Sequence, residues 1–183
     1  MSDTDAGTGP GRPRVVLVGP MGEGKTTVAD LLASRWGVTV RDTDHDVEAA
    51  EGREISEIFV DDGEEHFREL ERAAVARALA EHDGVLALGG GAVLDAGTRE
   101  ALEGRRVVFL SVGLADAVRR VGLGVGRPLL LGNVRARIKA LLDERLPVYR
   151  SVASVTVETD GKSAEEVSDE VAAAVEELEG SSR

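Results

Sequence analysis

Apolar and polar positions along this chain of 183 residues follow two alternating rhythms. Short unbroken apolar runs have the length and β-branched content of buried strands: RVVLV at 14–18, VTVR at 38–41, a third over 84–88, RRVVFL at 105–110 and SVTVE at 154–158. Between them apolar residues return every three or four positions. Val28, Leu31, Leu32 and Trp36 share a helical face, and Ile55 to Phe59 starts another helical region. Phe67, Leu70, Ala74, Ala78 and Leu79 line one side of a long helix over Glu64 to His82. Leu114 to Val121 is helical, and a helix over Arg135 to Arg145 is expected to stop at Pro147, which lacks an N–H. Ser163 and Glu166 form a capping box that opens a last helix with Val167, Val171, Val175 and Leu178 on its apolar face.

Strands that alternate with helices, without hairpin turns, imply a parallel sheet covered on both faces, an α/β sandwich. Residues 1–13 hold almost nothing to bury and read as a disordered tail ahead of a single domain over 14–180. The loop GLGVGRPLLLGN, 122–133, has the composition of a mobile lid.

Composition narrows the chemistry. The formal net charge of -12 argues against nucleic-acid or membrane-surface binding, which needs a basic face. There is no cysteine, hence neither a disulfide framework nor a thiolate zinc site. No apolar run reaches the roughly 20 residues of a membrane span, and there is no signal-peptide core, so a soluble cytoplasmic protein is expected. His45, His66 and His82 show no metal-ligand spacing. Of the 22 basic residues only Lys25, Lys139 and Lys162 are lysine, which sets Lys25 apart.

Lys25 stands in GPMGEGKTT, 19–27, where Gly19, Gly24, Lys25 and Thr26 satisfy G-x-x-x-x-G-K-[ST] between a strand and a helix. Such a loop curls so that backbone N–H groups face the phosphates of a nucleotide at a helix N-terminus. Lys25 would reach the β- and γ-phosphates, and the Thr26 hydroxyl would ligate Mg²⁺. A further carboxylate for the metal must come from Asp42 or Asp44 if any strand end supplies it, because the third strand ends in LALGGG. The plainer reading of these two acids is that they cap the next helix. Gly89, Gly90 and Gly91 offer a bare floor on the same rim, suited to a compact ligand. Arg68 lies one turn before Glu71, which could hold its guanidinium, while Arg145 precedes LPVY and Arg127 precedes a proline in the lid.

GPMGEGKTT, DTD (42–44), FRELE (67–71), LGGGAV (88–93), GRPLL (126–130) and RLPVY (145–149), in this order, resemble the shikimate kinase family over about residues 14 to 160. The resemblance implies a five-stranded parallel sheet of order 2-3-1-4-5 with a P-loop and a mobile lid, related to nucleoside monophosphate kinases, and commonly a monomer. It implies ATP-dependent phosphorylation of the shikimate 3-hydroxyl, on the way to chorismate and the aromatic amino acids. By position, Asp44 would meet the shikimate hydroxyls, Arg68 and Arg145 would hold the carboxylate, and Gly90 would floor the site. Gly22, Glu23, Gly24, Lys25, Thr26 and Thr27 would cradle ATP, with Asp42 near the magnesium and Arg127 swinging in on the lid. Arg119 or Arg120 would lie near the adenine. Thr159-Asp160 resembles the start of the adenine loop, but a proline often found shortly afterwards is missing, and Val148 replaces the usual leucine of RxPLY.

The chemistry of these residue types fits that assignment. A carboxylate acceptor calls for the planar fork of arginine, and a hydroxyl nucleophile needs an acid to orient it and take its proton. A gluconate kinase would keep the P-loop but lack the spacing of FRELE, GGG and RLPVY. A nucleoside monophosphate kinase would want aromatic residues for a second base, and Phe, Trp and Tyr total only 3%. A non-catalytic nucleotide-binding regulator would show a damaged set, whereas Lys25, Thr26, Asp42, Asp44 and Arg127 are all present. Lys25→Met should remove most ATP-dependent phosphoryl transfer in a coupled ADP-release assay; near-normal turnover would contradict the P-loop assignment.

Overall fold

The structure is a computed structural model that describes residues 12–20, 23–124 and 131–182. Five strands form one parallel sheet: β1 (Val15–Val18), β2 (Val40–Asp42), β3 (Val85–Ala87), β4 (Val107–Ser111) and β5 (Val155–Glu158). Their order, β2-β3-β1-β4-β5, is the one that the family resemblance implies. The central strand pairs with both neighbours, Val16 opposite Leu86 on one side and Val107 on the other.

Eight helices are described: α1 (Glu23–Trp36), α2 (Thr43–Glu51), α3 (Ile55–Asp62), α4 (Glu64–Glu81), α5 (Ala96–Leu102), α6 (Leu114–Gly124), α7 (Leu131–Val152) and α8 (Ala164–Ser181). The two-residue period of β1 separates two cores. Val15 and Leu17 face α1 and α8, meeting Val28, Leu32, Val171 and Val175. Val16 and Val18 face the other layer, with Val75 and Leu79 of α4, Leu102 of α5 and Tyr149 of α7. A satellite cluster of Val47, Ile58, Phe67 and Ala74 binds α2 and α3 to α4. Ser163 caps α8 as expected, its hydroxyl accepting the N–H of Glu166 at 3.1 Å.

Pro147 does not stop its helix: α7 continues through it to Val152. The proline forfeits only a bond to the carbonyl of Asp143 on an exposed face, and Tyr149 and Val152 pack into the core beyond it, holding the last turn in place. Of the short helices, α2 is the one that the acids at 42 and 44 were expected to cap, while α5 carries no long apolar stripe to announce it. Of the lid expected over 122–133, residues 122–124 belong to α6 and 131–133 to α7, while 125–130 lie outside the described residues. Of the expected tail over 1–13, only Arg12 and Pro13 are among the described residues.

Gly84 shows how tightly β2 approaches β3. Its carbonyl accepts the N–H of Arg14 at 2.9 Å, and the following N–H, of Val85, bonds Thr39 at 3.0 Å. A Cβ at Gly84 would run into the Thr39 carbonyl oxygen, a backbone atom that cannot turn aside. Gly84→Ala should therefore cost about 1–3 kcal/mol of stability. Urea denaturation checks this; an unchanged midpoint would mean that the sheet edge yields at no cost.

Candidate active site

The P-loop leaves β1 at Gly19, whose φ of 150° and whose closeness to Leu110 (a Cβ would stand 2.6 Å from its carbonyl oxygen) exclude any side chain. Helix α1 starts at Glu23, so Gly24, Lys25, Thr26 and Thr27 lie in its first turns, at the positive end of the helix dipole. The Lys25 ammonium donates to the carbonyls of Gly19 at 2.7 Å and Leu88 at 2.8 Å, linking the exits of β1 and β3. Burial pulls its pKa down to about 8, against the attraction of Asp44, Asp42 and Glu71 and with the repulsion of Arg145.

The capping reading of the paired acids holds for Asp42. Asp42 ends β2 on the rim and also caps α2, its Oδ1 accepting the Asp44 N–H at 2.8 Å. Asp44 stands in the first turn of α2, where burial and then the neighbouring Asp42 and Glu71 carboxylates push its pKa up to about 6, while Lys25 opposes. Between the acids, Thr43 is fully buried and its hydroxyl accepts the Gly89 N–H at 3.2 Å. That bond fixes the start of α2 to the exit of β3. Thr43 escaped sequence reading because a threonine between two aspartates carries no signal of its own.

The glycine run is bare for a more specific reason than ligand access alone. A Cβ at Gly89 would stand 2.5 Å from Asp44 Oδ1 and 3.0 Å from Glu71 Oε2, and one at Gly91 would run into the Arg68 guanidinium. The glycines admit the site's own charged side chains. The carbonyl of Gly90 accepts the Tyr149 hydroxyl at 2.5 Å.

Arg68 is held as its spacing suggests, with Nη1 2.8 Å from Glu71 Oε1. Glu71 itself is 4% exposed, so the pair is a rigid mount and not a loose surface contact. Arg145 comes from α7; its Nε is buried without a hydrogen-bond partner. Its positive charge works against burial, which pushes the Tyr149 pKa up. Tyr149, stacked on Phe109 with ring centroids 4.9 Å apart, thus anchors Gly90 one helical turn beyond Arg145. The residue was visible in RLPVY, but its role depends on the helix continuing through Pro147.

Other candidates are less fully placed. Arg119 is exposed and pairs with Asp116 of its own helix at 2.7 Å. Glu23 and Arg120 are positions on α1 and α6, while Gly22 and Arg127 lie outside the described residues. Beside the P-loop a pocket opens between Gly24, Lys25 and Val28 on one side and Val112, Thr159 and Lys162 on the other. Lys162 was overlooked as a site residue, although its rarity in an arginine-dominated chain could have flagged it as it flagged Lys25. Among the described residues no cluster of three or more His, Asp or Glu groups suits a metal. Asp42 and Thr26 nevertheless offer the oxygen donors that Mg²⁺ prefers when phosphates complete its shell.

The family model described as shikimate kinase matches residues 21–176. A shikimate kinase of Salinispora arenicola is 63% identical over 161 residues, covering 88% of this chain and 96% of that protein. Among solved structures, shikimate kinase from Acinetobacter baumannii in complex with shikimate superposes with a TM-score of 0.83 at 36% identity, covering 93% of this chain and 95% of that one. A gluconokinase from Sinorhizobium meliloti, with a TM-score of 0.56 and 21% identity over 92% of this chain and 93% of its own, shares the fold alone.

The charge environment has a consequence for stability. An Asp44 pKa of about 6 in the folded chain, above the ordinary 3.8, means that folding penalises its ionised form. The penalty is absent below the unfolded pKa, grows as pH rises from about 4 to about 6, and then stays constant. Asp44→Asn should therefore be more stable than the parent at pH 7, on the order of 1–2 kcal/mol, with the gain fading towards pH 4. Denaturant titrations at several pH values check this, and a difference independent of pH would place Asp44 in solvent.

Proposed function

The chain belongs to the shikimate kinase family, which phosphorylates shikimate with ATP, and we propose that it does so with Lys25, Asp44, Arg68 and Arg145 as working groups. The γ-phosphoryl group passes from ATP to the shikimate 3-hydroxyl, giving shikimate 3-phosphate and ADP. The observation that carries the residue assignment is the company kept at the exit of β3: Lys25 bonds the Leu88 carbonyl, Asp44 and Glu71 pack against Gly89, and Arg68 against Gly91. The phosphate end and the acceptor end of the reaction therefore share one site.

In this reading the P-loop from Gly22 to Thr27 holds the phosphates, and Lys25 exchanges the carbonyls of Gly19 and Leu88 for phosphate oxygens. Asp44, with a pKa of about 6, is ionised at neutral pH and can orient the 3-hydroxyl and accept its proton. Arg68, mounted on Glu71, and Arg145, with an unpaired buried Nε, grip the substrate carboxylate over the Gly90 floor. Thr26 and Asp42 would hold Mg²⁺ together with the nucleotide, and the ion would supply positive charge to the phosphates. Arg127 adds positive charge from the lid, and Arg119 or Arg120 flanks the adenine. A cytoplasmic monomer completes the reading; no helix among the described residues is long and apolar enough to cross a membrane.

The deciding measurement is a coupled ADP-release assay with Mg²⁺-ATP, comparing shikimate, gluconate, nucleoside monophosphates and no acceptor. ADP release that depends on shikimate is expected. Release without any acceptor would make the chain an ATPase and undo the roles of Asp44, Arg68 and Arg145. Arg68→Lys keeps the charge but loses the fork, so the shikimate KM should rise about tenfold or more while the ATP KM stays within about twofold. Equal effects on both would reduce Arg68 to a structural part.

A further inference from the structure

We propose that Asp160 is a positioning residue for the nucleotide, tying the turn after β5 to the root of α6; this deepens the kinase reading and rests on it. Strand pairing between β4 and β5 ends at Ser111 opposite Glu158. Beyond that point the two chains leave the sheet on the rim where open α/β sheets bind ligands, and backbone pairing no longer holds them together. Two hydrogen bonds and one bifurcated contact take over. The Thr159 N–H and its hydroxyl both donate to the Ser111 carbonyl at 2.9 Å. One residue further, both carboxylate oxygens of Asp160 accept the Gly113 N–H at 2.9 Å. The Gly113 carbonyl in turn accepts the Ala117 N–H at 3.0 Å, so Gly113 is the residue from which α6 grows.

The two loops joined in this way form one wall of the pocket beside the P-loop. Val112 lies between Ser111 and Gly113, while Thr159 and Lys162 flank Asp160, and all three of Val112, Thr159 and Lys162 line the pocket. The turn bends at Gly161, with a φ of 69°, and the Lys162 N–H closes it on Thr159 at 3.3 Å. Without Asp160 only the Thr159–Ser111 bonds tie the two loops, so the Val112 and Lys162 sides of the wall can shift further apart and the space for the nucleotide is less firmly set. A carboxylate also suits this place electrically, since the start of α6 carries the positive end of the helix dipole.

The glycine at 113 is the complementary half of the device. A Cβ there would run into Asp160 Oδ2, so a side chain at 113 must expel the carboxylate from its seat. Two substitutions on different elements should thus break the same contact, one by deletion and one by displacement.

The test uses the full chain and measures ADP binding by calorimetry, with the KM values for ATP and shikimate beside it. Asp160→Ala should weaken ADP binding about three- to tenfold, the range for one exposed charge-assisted bond, and raise the ATP KM by a similar factor. The shikimate KM should stay within about twofold. Asp160→Asn, which keeps an acceptor oxygen, should recover most of the affinity, and Gly113→Ala should reproduce the loss. Asp160→Ala binding ADP as tightly as the parent would overturn the assignment, as would Asn and Ala variants weakened equally with shikimate KM rising in step. If Asp160→Ala does not fold, Gly113→Ala decides, and parental ADP affinity there sinks the proposal. A parent chain that binds ADP but shows no shikimate-dependent turnover would instead strike at the kinase reading, because the ADP measurement stands apart from it.

Discussion

The burial of β1 between β3 and β4 is the constraint from which the site derives. A strand covered on both faces must satisfy every backbone group sideways, and parallel neighbours do this while bringing all strand ends to one rim. The exits of β1, β2 and β3 then lie together by construction. Lys25 spans two of those exits through the carbonyls of Gly19 and Leu88, and Thr43 spans another pair through Gly89. Few side-chain bonds are needed because the register has already done most of the positioning.

Charge is then concentrated where water is scarce. Asp44 and Lys25 are both shifted towards their neutral forms, Asp44 upward and Lys25 downward, which marks a site held at a cost to stability. The ammonium rests on carbonyls, and the carboxylate crowds against others of its own sign. Substrates carrying phosphates, hydroxyls and a carboxylate would supply complements to both, so binding and relief of this strain are the same event. The surrounding mounts are less strained. Glu71 fixes Arg68, and Tyr149 fixes the Gly90 carbonyl, each through a group buried in the core.

Local signals were sufficient wherever the physics is local. The P-loop, the capping box at Ser163 and the amphipathic faces of α4 and α8 depend on residues within a few positions of each other, and each stands where its pattern puts it. Pro147 misled for the opposite reason. Its effect on a helix in isolation was read correctly, but packing of Tyr149 and Val152 outweighs one lost bond on an exposed face. The two short helices α2 and α5 owe their existence to caps at Asp42 and Asp95 and to tertiary contacts more than to periodicity.

The sequence by itself determined the class of fold, the phosphate cradle and, through the spacing of its motifs, the family and reaction. These follow from chemistry that short segments must carry whatever surrounds them. Only the tertiary structure decided what the glycines are for. Gly89 and Gly91 leave room for Asp44 and Arg68, and Gly113 leaves room for Asp160, side chains 45, 23 and 47 positions away along the chain. A missing side chain says that space is required. What fills the space is set by which distant elements the sheet brings to the same rim.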